Sequence, residues 1–115
     1  MAVRSAISRA ATAGNLRVAA ITLWEIAMLA SRNRVVLGKP VVQWMGDALI
    51  ASTTSVEPLD ARVAAESYEL PGRFHGDPAD RMIVATARIM SATLITRDRQ
   101  ILDYAARGHL AAIPA

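Results

Sequence analysis

Along this chain, short apolar runs of β-forming residues alternate with longer stretches whose apolar positions recur at helical spacing. The clearest instance is A-T-L-I-T (Ala92–Thr96), followed at once by R-D-R-Q-I-L-D-Y-A-A-R. A two-residue turn can join antiparallel strands, whereas a helix-length connection returns the chain for a parallel pairing. Alternation of this kind therefore argues for an α/β domain, with helices covering both faces of a parallel sheet. Such sheets bind ligands beyond the carboxyl ends of their strands, so chemistry is to be sought there.

The remaining elements follow from the same signals. Ser5 to Ala13 is the end of a small amphipathic helix, stopped by Gly14-Asn15. L-R-V-A-A-I (Leu16 to Ile21) is a buried strand, and Thr22 opens a helix to about Ser31, with Leu23, Ile26, Ala27 and Ala30 on one face. Pro40 suits the first turn of P-V-V-Q-W-M-G-D-A-L-I-A. S-V-E-P-L (Ser55 to Leu59) is a short β-like run, Asp60 caps A-R-V-A-A-E-S-Y-E-L, and Leu70-Pro71-Gly72 breaks that helix. H-G-D-P-A-D-R-M-I-V-A-T-A opens another, reaching about Met90, and L-A-A-I-P offers a last strand. No repeat or linker divides the 115 residues, so residues 1–115 are expected to form a single domain.

Composition narrows the chemistry. There is no cysteine, which removes disulfides, Fe–S clusters and thiolate zinc sites together. His75 and His109 are too few for a histidine cage, so any metal must be held by carboxylate oxygen, which favours Mg²⁺ or Mn²⁺. No uncharged stretch approaches the roughly 18 residues a membrane span needs, and no continuous apolar run follows Arg4 and Arg9 as a secretory signal requires. Cytoplasm is the expected location, with no membrane partner. The net charge is only +3, but every cation except Lys39 is arginine. Arginine's planar fork suits phosphate, so a nucleic-acid partner is admissible; codon bias in a GC-rich genome accounts for the same composition. Five aromatic residues are few for base stacking. Trp24 and Trp44 fit better as core or interface anchors, and His75 as a residue that orders its loop.

Three acids stand at element ends. Thr22-x-x-Glu25 spells a capping box, in which Glu25 satisfies only a backbone N–H. Asp98 follows the T-L-I-T strand and can cap the helix after it. Asp77-Pro78 is a natural pair for the cap and first position of the next helix, which places Asp80 at the third position, spared from capping. Arg81 can pair with Asp80 or with a substrate phosphate. Taken singly, Glu25, Asp80 and Asp98 are each explained as structure. On one edge of a parallel sheet, however, they would repel unless a divalent cation neutralised them. That arrangement supports metal-assisted phosphodiester hydrolysis.

A-I-T-L-W-E-I-A-M-L-A-S-R-N-R-V-V-L, L-P-G-R-F-H-G-D-P-A-D-R-M-I-V-A-T-A-R-I and T-L-I-T-R-D-R-Q-I-L-D-Y-A-A-R-G together resemble the PIN-domain family. The likeness is to the VapC-like toxins of type II (VapBC) toxin–antitoxin modules, and runs from about Gly14 to the C-terminus. It implies a three-layer α/β/α fold with a short parallel sheet, Mg²⁺- or Mn²⁺-dependent endoribonuclease activity on RNA, homodimerisation, and a cognate VapB-like antitoxin. Carried over by motif, Glu25, Asp80 and Asp98 are the catalytic, metal-binding acids. Arg81, Arg97 and Arg99 become candidates for RNA phosphate, while Asp77 and Thr22 remain structural caps. The family's first strand, which ends in an aspartate and lies centrally in the sheet, has no counterpart here, since no acid precedes Glu25.

Two outcomes are therefore expected to compete: a metal-dependent ribonuclease toxin, and an inactive PIN remnant that still binds antitoxin or RNA. A phosphatase-like or receiver-like α/β fold fits less well. Those folds need an aspartate after their first strand, and L-R-V-A-A-I is followed by Thr22.

Overall fold

A computed structural model describes residues 2–115 of the chain. The described residues form six α-helices and four three-residue strands, the mixed α/β class that the alternation predicts. They divide into two compact units, one ending at Pro58 and the other running from Leu59 to Ala115.

The first unit contains α1 (Ala2–Thr12), β1 (Arg17–Ala19), α2 (Ala20–Ser31), α3 (Val41–Ala51) and β2 (Ser55–Glu57). Gly14 ends α1 with φ +73°, a left-handed conformation that glycine adopts without a Cβ penalty. The N–H groups of Ala13, Gly14 and Asn15 then close onto the last carbonyls of the helix. β1 and β2 are parallel, with Arg17 opposite Ser55, Val18 opposite Val56 and Ala19 opposite Glu57. An Arg17–Glu57 ion pair of 3.3 Å crosses this ladder diagonally. α2 and α3 are apolar, yet neither has a fully buried residue, and Trp24, Val42 and Ile50 are largely exposed.

The second unit contains α4 (Ala61–Tyr68), α5 (Pro78–Met90), β3 (Leu94–Thr96), α6 (Arg99–Ala106) and β4 (Ala112–Pro114). β3 and β4 are again parallel, with Ile95 opposite Ile113. Among the described residues the short parallel strands pair as β1–β2 and as β3–β4. Among the described residues, the buried hydrophobic ones are Val63, Phe74, Val84, Ala85, Ala87, Ile101 and Tyr104, all in this unit. Ile101 and Tyr104, three apart, share one face of α6 and cluster with Val84 of α5 and Phe74. Tyr104 is fully buried: its hydroxyl donates to the Pro71 carbonyl at 2.6 Å, and its ring tilts against Phe74 at a centroid distance of 5.1 Å. Arg88 of α5 reaches Glu66 of α4 at 2.8 Å and also donates to the His109 carbonyl, tying three segments together.

Two boundaries differ from the sequence expectation. The strand expected over Leu16 to Ile21 is only Arg17–Ala19, and α2 begins at Ala20 rather than at Thr22. Pairing with β2 ends at Ala19, and alanine is the strongest helix former, so the chain turns into helix as soon as the ladder releases it. Pro40 likewise stands just outside α3, its carbonyl accepting the Trp44 N–H at 2.9 Å.

Candidate metal centre

In the second unit the N-terminus of α5 carries Asp77 and Asp80, and the N-terminus of α6, just after the carboxyl end of β3, carries Asp98. α5 opens on Asp77, whose Oδ1 accepts the Asp80 N–H at 2.8 Å, with Pro78 in the first turn where its missing N–H costs nothing. The Asp80 side chain reaches back, Oδ2 accepting the Asp77 N–H at 3.4 Å. Asp80 is therefore not spared from capping, because its third position lets a carboxylate close a reciprocal box. That return bond is long, so Oδ2 is weakly held, and among the described residues Oδ1 accepts no backbone N–H.

Asp98 caps α6. A single oxygen, Oδ1, accepts the N–H groups of Gln100 at 2.8 Å and Ile101 at 3.3 Å. The Asp98 N–H in turn donates to the Thr96 hydroxyl at 3.0 Å, fixing the turn that leads out of β3. Both helix amides fall on one oxygen, so among the described residues the other oxygen of Asp98 accepts no backbone N–H.

These two carboxylates feel each other. The Asp80 carboxyl is pushed above the usual aspartate range, first by partial burial, then by the negative charge of Asp77, then by that of Asp98. The Asp77 N–H opposes this by stabilising the charged form. Two hard oxygen donors, each held at a helix N-terminus, suit Mg²⁺ or Mn²⁺. Such ions commonly take only one or two carboxylates and complete their shell with water and substrate phosphate. Among the described residues, no group of three or more His, Cys, Asp or Glu side chains is placed to hold a metal ion. Within the second unit, Asp80 and Asp98 are the helix-N-terminal carboxylates whose chemistry suits such an ion.

The other predicted residues fall differently. Arg81 does not pair with Asp80: its Nε donates to the Ser67 carbonyl at 2.7 Å, its Nη1 to the Phe74 carbonyl at 2.8 Å, and its guanidinium lies 5.3 Å from the Tyr68 ring centre. Arg97 and Arg99 are exposed on either side of Asp98, with no ion pair among the described residues. Thr22 does not cap α2. The N-cap is Ala19, which offers no side-chain bond, so Thr22 lies at the third helical position and Glu25 too deep for a capping box. Glu25 is half-buried and belongs to the first unit.

Two contributors escape the sequence reading. Thr96 matters because its hydroxyl sets the Asp98 turn, and the T-x-D spacing at a strand end is the available signal. Gly76 matters because a Cβ there would stand 2.4 Å from the Phe74 ring and 2.8 Å from the Asp80 Cβ. A glycine immediately before a helix cap gives only a faint sequence hint of that close packing.

Residues 1–107 match the PIN domain family, a range that spans both units. Over 104 residues the chain is 40% identical to Ribonuclease VapC22 of Mycobacterium tuberculosis, an alignment covering 90% of this chain and 76% of that protein.

Proposed function

This chain belongs to the PIN-domain family, and from that premise we propose that it is a metal-dependent endoribonuclease, the toxin component of a toxin–antitoxin module. RNA is its substrate, a VapB-like antitoxin its regulator, the cytoplasm its location, and a homodimer its working form. Among the described residues, no helix is long and apolar enough to cross a membrane. Residues 1–115 act as one domain, a reading supported by a family match that extends across both units.

The observation that carries the chemistry is the placement of Asp80 and Asp98 at the N-termini of two helices, Asp98 directly after β3. When bound, Mg²⁺ or Mn²⁺ would supply the positive charge needed to activate water and to stabilise charge on the phosphoryl oxygens. Asp80 and Asp98 are the residues that would hold that ion. The α6 cap holds the Asp98 carboxylate in place through two backbone N–H groups, so little of its conformational freedom is lost when the site is loaded. Arg97 and Arg99, exposed beside Asp98, attract the RNA backbone. The family resemblance adds Glu25 to the acids that serve the metal, an assignment Glu25→Gln tests by its effect on the Mg²⁺ requirement.

The deciding experiment is RNA cleavage by the purified chain in Mg²⁺, in EDTA, and with Asp80→Asn. The proposal expects cleavage in Mg²⁺ only, lost on Asp80→Asn. No cleavage by the unaltered chain, with antitoxin or RNA binding retained, would instead establish the inactive PIN remnant.

A further inference from the structure

We propose that Arg81 is a positioning residue that fixes the Asp80 carboxylate for the metal, and does not contact RNA phosphate. The inference rests on the metal reading above. Its ground is where the guanidinium goes. Nε takes the carbonyl of Ser67 in the last turn of α4, a group the helix leaves without an intrahelical partner, at 2.7 Å. Nη1 takes the carbonyl of Phe74 at 2.8 Å. Both acceptors belong to buried residues, Ser67 at 2% and Phe74 at 7% exposure. One planar fork therefore joins the end of α4, the loop before α5, and the residue next to Asp80.

A second observation concerns the Asp80 side chain at its Cβ. The Phe74 ring, wedged against Tyr104, packs so tightly over Gly76 that a Cβ there would overlap both the ring and the Asp80 Cβ. Phe74 is thus held at its carbonyl by Arg81 and at its ring by the core, and Asp80 rests at the edge of that assembly. Lysine cannot reproduce the arrangement, since an ammonium has no rigid fork to reach two carbonyls at set angles. A guanidinium already committed to two main-chain carbonyls is also poorly disposed to follow a phosphate.

Mn²⁺ binding to the full chain, read by electron paramagnetic resonance, tests this beside urea unfolding and the salt dependence of RNA binding in EDTA. For Arg81→Met, under conditions where unfolding shows the chain folded, the Mn²⁺ dissociation constant should rise about tenfold, the scale of lost support around metal ligands. The salt slope for RNA should stay unchanged. Arg81→Lys should fall between the two, and Gly76→Ala should weaken Mn²⁺ binding as well. If Arg81→Met does not fold, Arg81→Lys and Gly76→Ala decide. Unchanged Mn²⁺ affinity in the folded variants overturns the inference, as does a salt slope reduced by about 0.7, the loss of one phosphate contact on single-stranded RNA. Mn²⁺ binding by the unaltered chain that Asp80→Asn leaves intact would overturn the metal reading itself, a result separate from Asp80-dependent binding indifferent to Arg81.

Discussion

Replacing Asp98 by asparagine and by alanine separates the two tasks this side chain performs. As the cap of α6 it accepts two backbone N–H groups on Oδ1, at 2.8 and 3.3 Å. As a candidate ligand it contributes negative charge. Asparagine caps a helix about as well as aspartate, so Asp98→Asn keeps the cap and removes only the charge. The favourable interaction of that charge with the helix N-terminus, roughly 0.3–1 kcal/mol, is lost, but so is its repulsion of Asp80. The net change in stability should stay under about 1 kcal/mol. Asp98→Ala loses the cap as well, about 1 kcal/mol in itself, for a total of roughly 1.5–2 kcal/mol. With urea slopes of about 1–3 kcal/mol per molar, alanine should lower the unfolding midpoint by on the order of 0.5–2 M, and asparagine by clearly less. Far-UV circular dichroism in urea reads both midpoints, and the same samples assayed for Mg²⁺-dependent cleavage should be inactive alike. If asparagine destabilises as much as alanine, the charge rather than the cap holds α6, and the division of labour argued here is wrong.

Further outcomes follow from the same geometry. The folded-state pKa of Asp80 lies above its unfolded value, near 3.9, so the folded chain keeps this proton longer and stability from this group falls as pH rises through the raised pKa. Urea midpoints compared between the unaltered chain and Asp80→Asn should therefore diverge on going upward from the ordinary aspartate range; parallel pH profiles would refute the shift. Mg²⁺ should lessen that decline by compensating the charge, which a repeat titration in EDTA checks. Tyr104→Phe keeps the packed ring but leaves the Pro71 carbonyl without the 2.6 Å bond, at a cost of about 1–3 kcal/mol. An unchanged midpoint would show that water replaces the hydroxyl.

The sequence made most elements legible because their signals are local. Asp60 and Asp98 cap the helices they precede, and Asp77 with Pro78 opens α5, since a cap needs only neighbouring residues. Thr22 misled for the same reason. Its capping-box spelling is sound locally, but the end of the β1–β2 ladder let α2 start two residues earlier, a choice made by residues more than thirty positions away. Arg81 was illegible in another way, because its acceptors are main-chain carbonyls, which no side-chain pattern advertises. Gly76 is set by the Phe74 ring and Asp80 Cβ, a steric requirement that only assembled coordinates express. Of the candidate site, the identities of Asp80 and Asp98 were readable; the capping bonds that each of them makes emerged from the fold.

The central claim is that Asp80 and Asp98 hold one divalent ion between them. Adding Mn²⁺ in small steps to the isotope-labelled chain, and following amide resonances by NMR, tests it most directly, because paramagnetic broadening is steepest nearest the ion. The account predicts that Asp80 and Arg81, at the start of α5, and Asp98 to Gln100, at the start of α6, broaden first and together, and recover in EDTA. Broadening confined to only one of these helix ends, or beginning elsewhere in the chain, would contradict it.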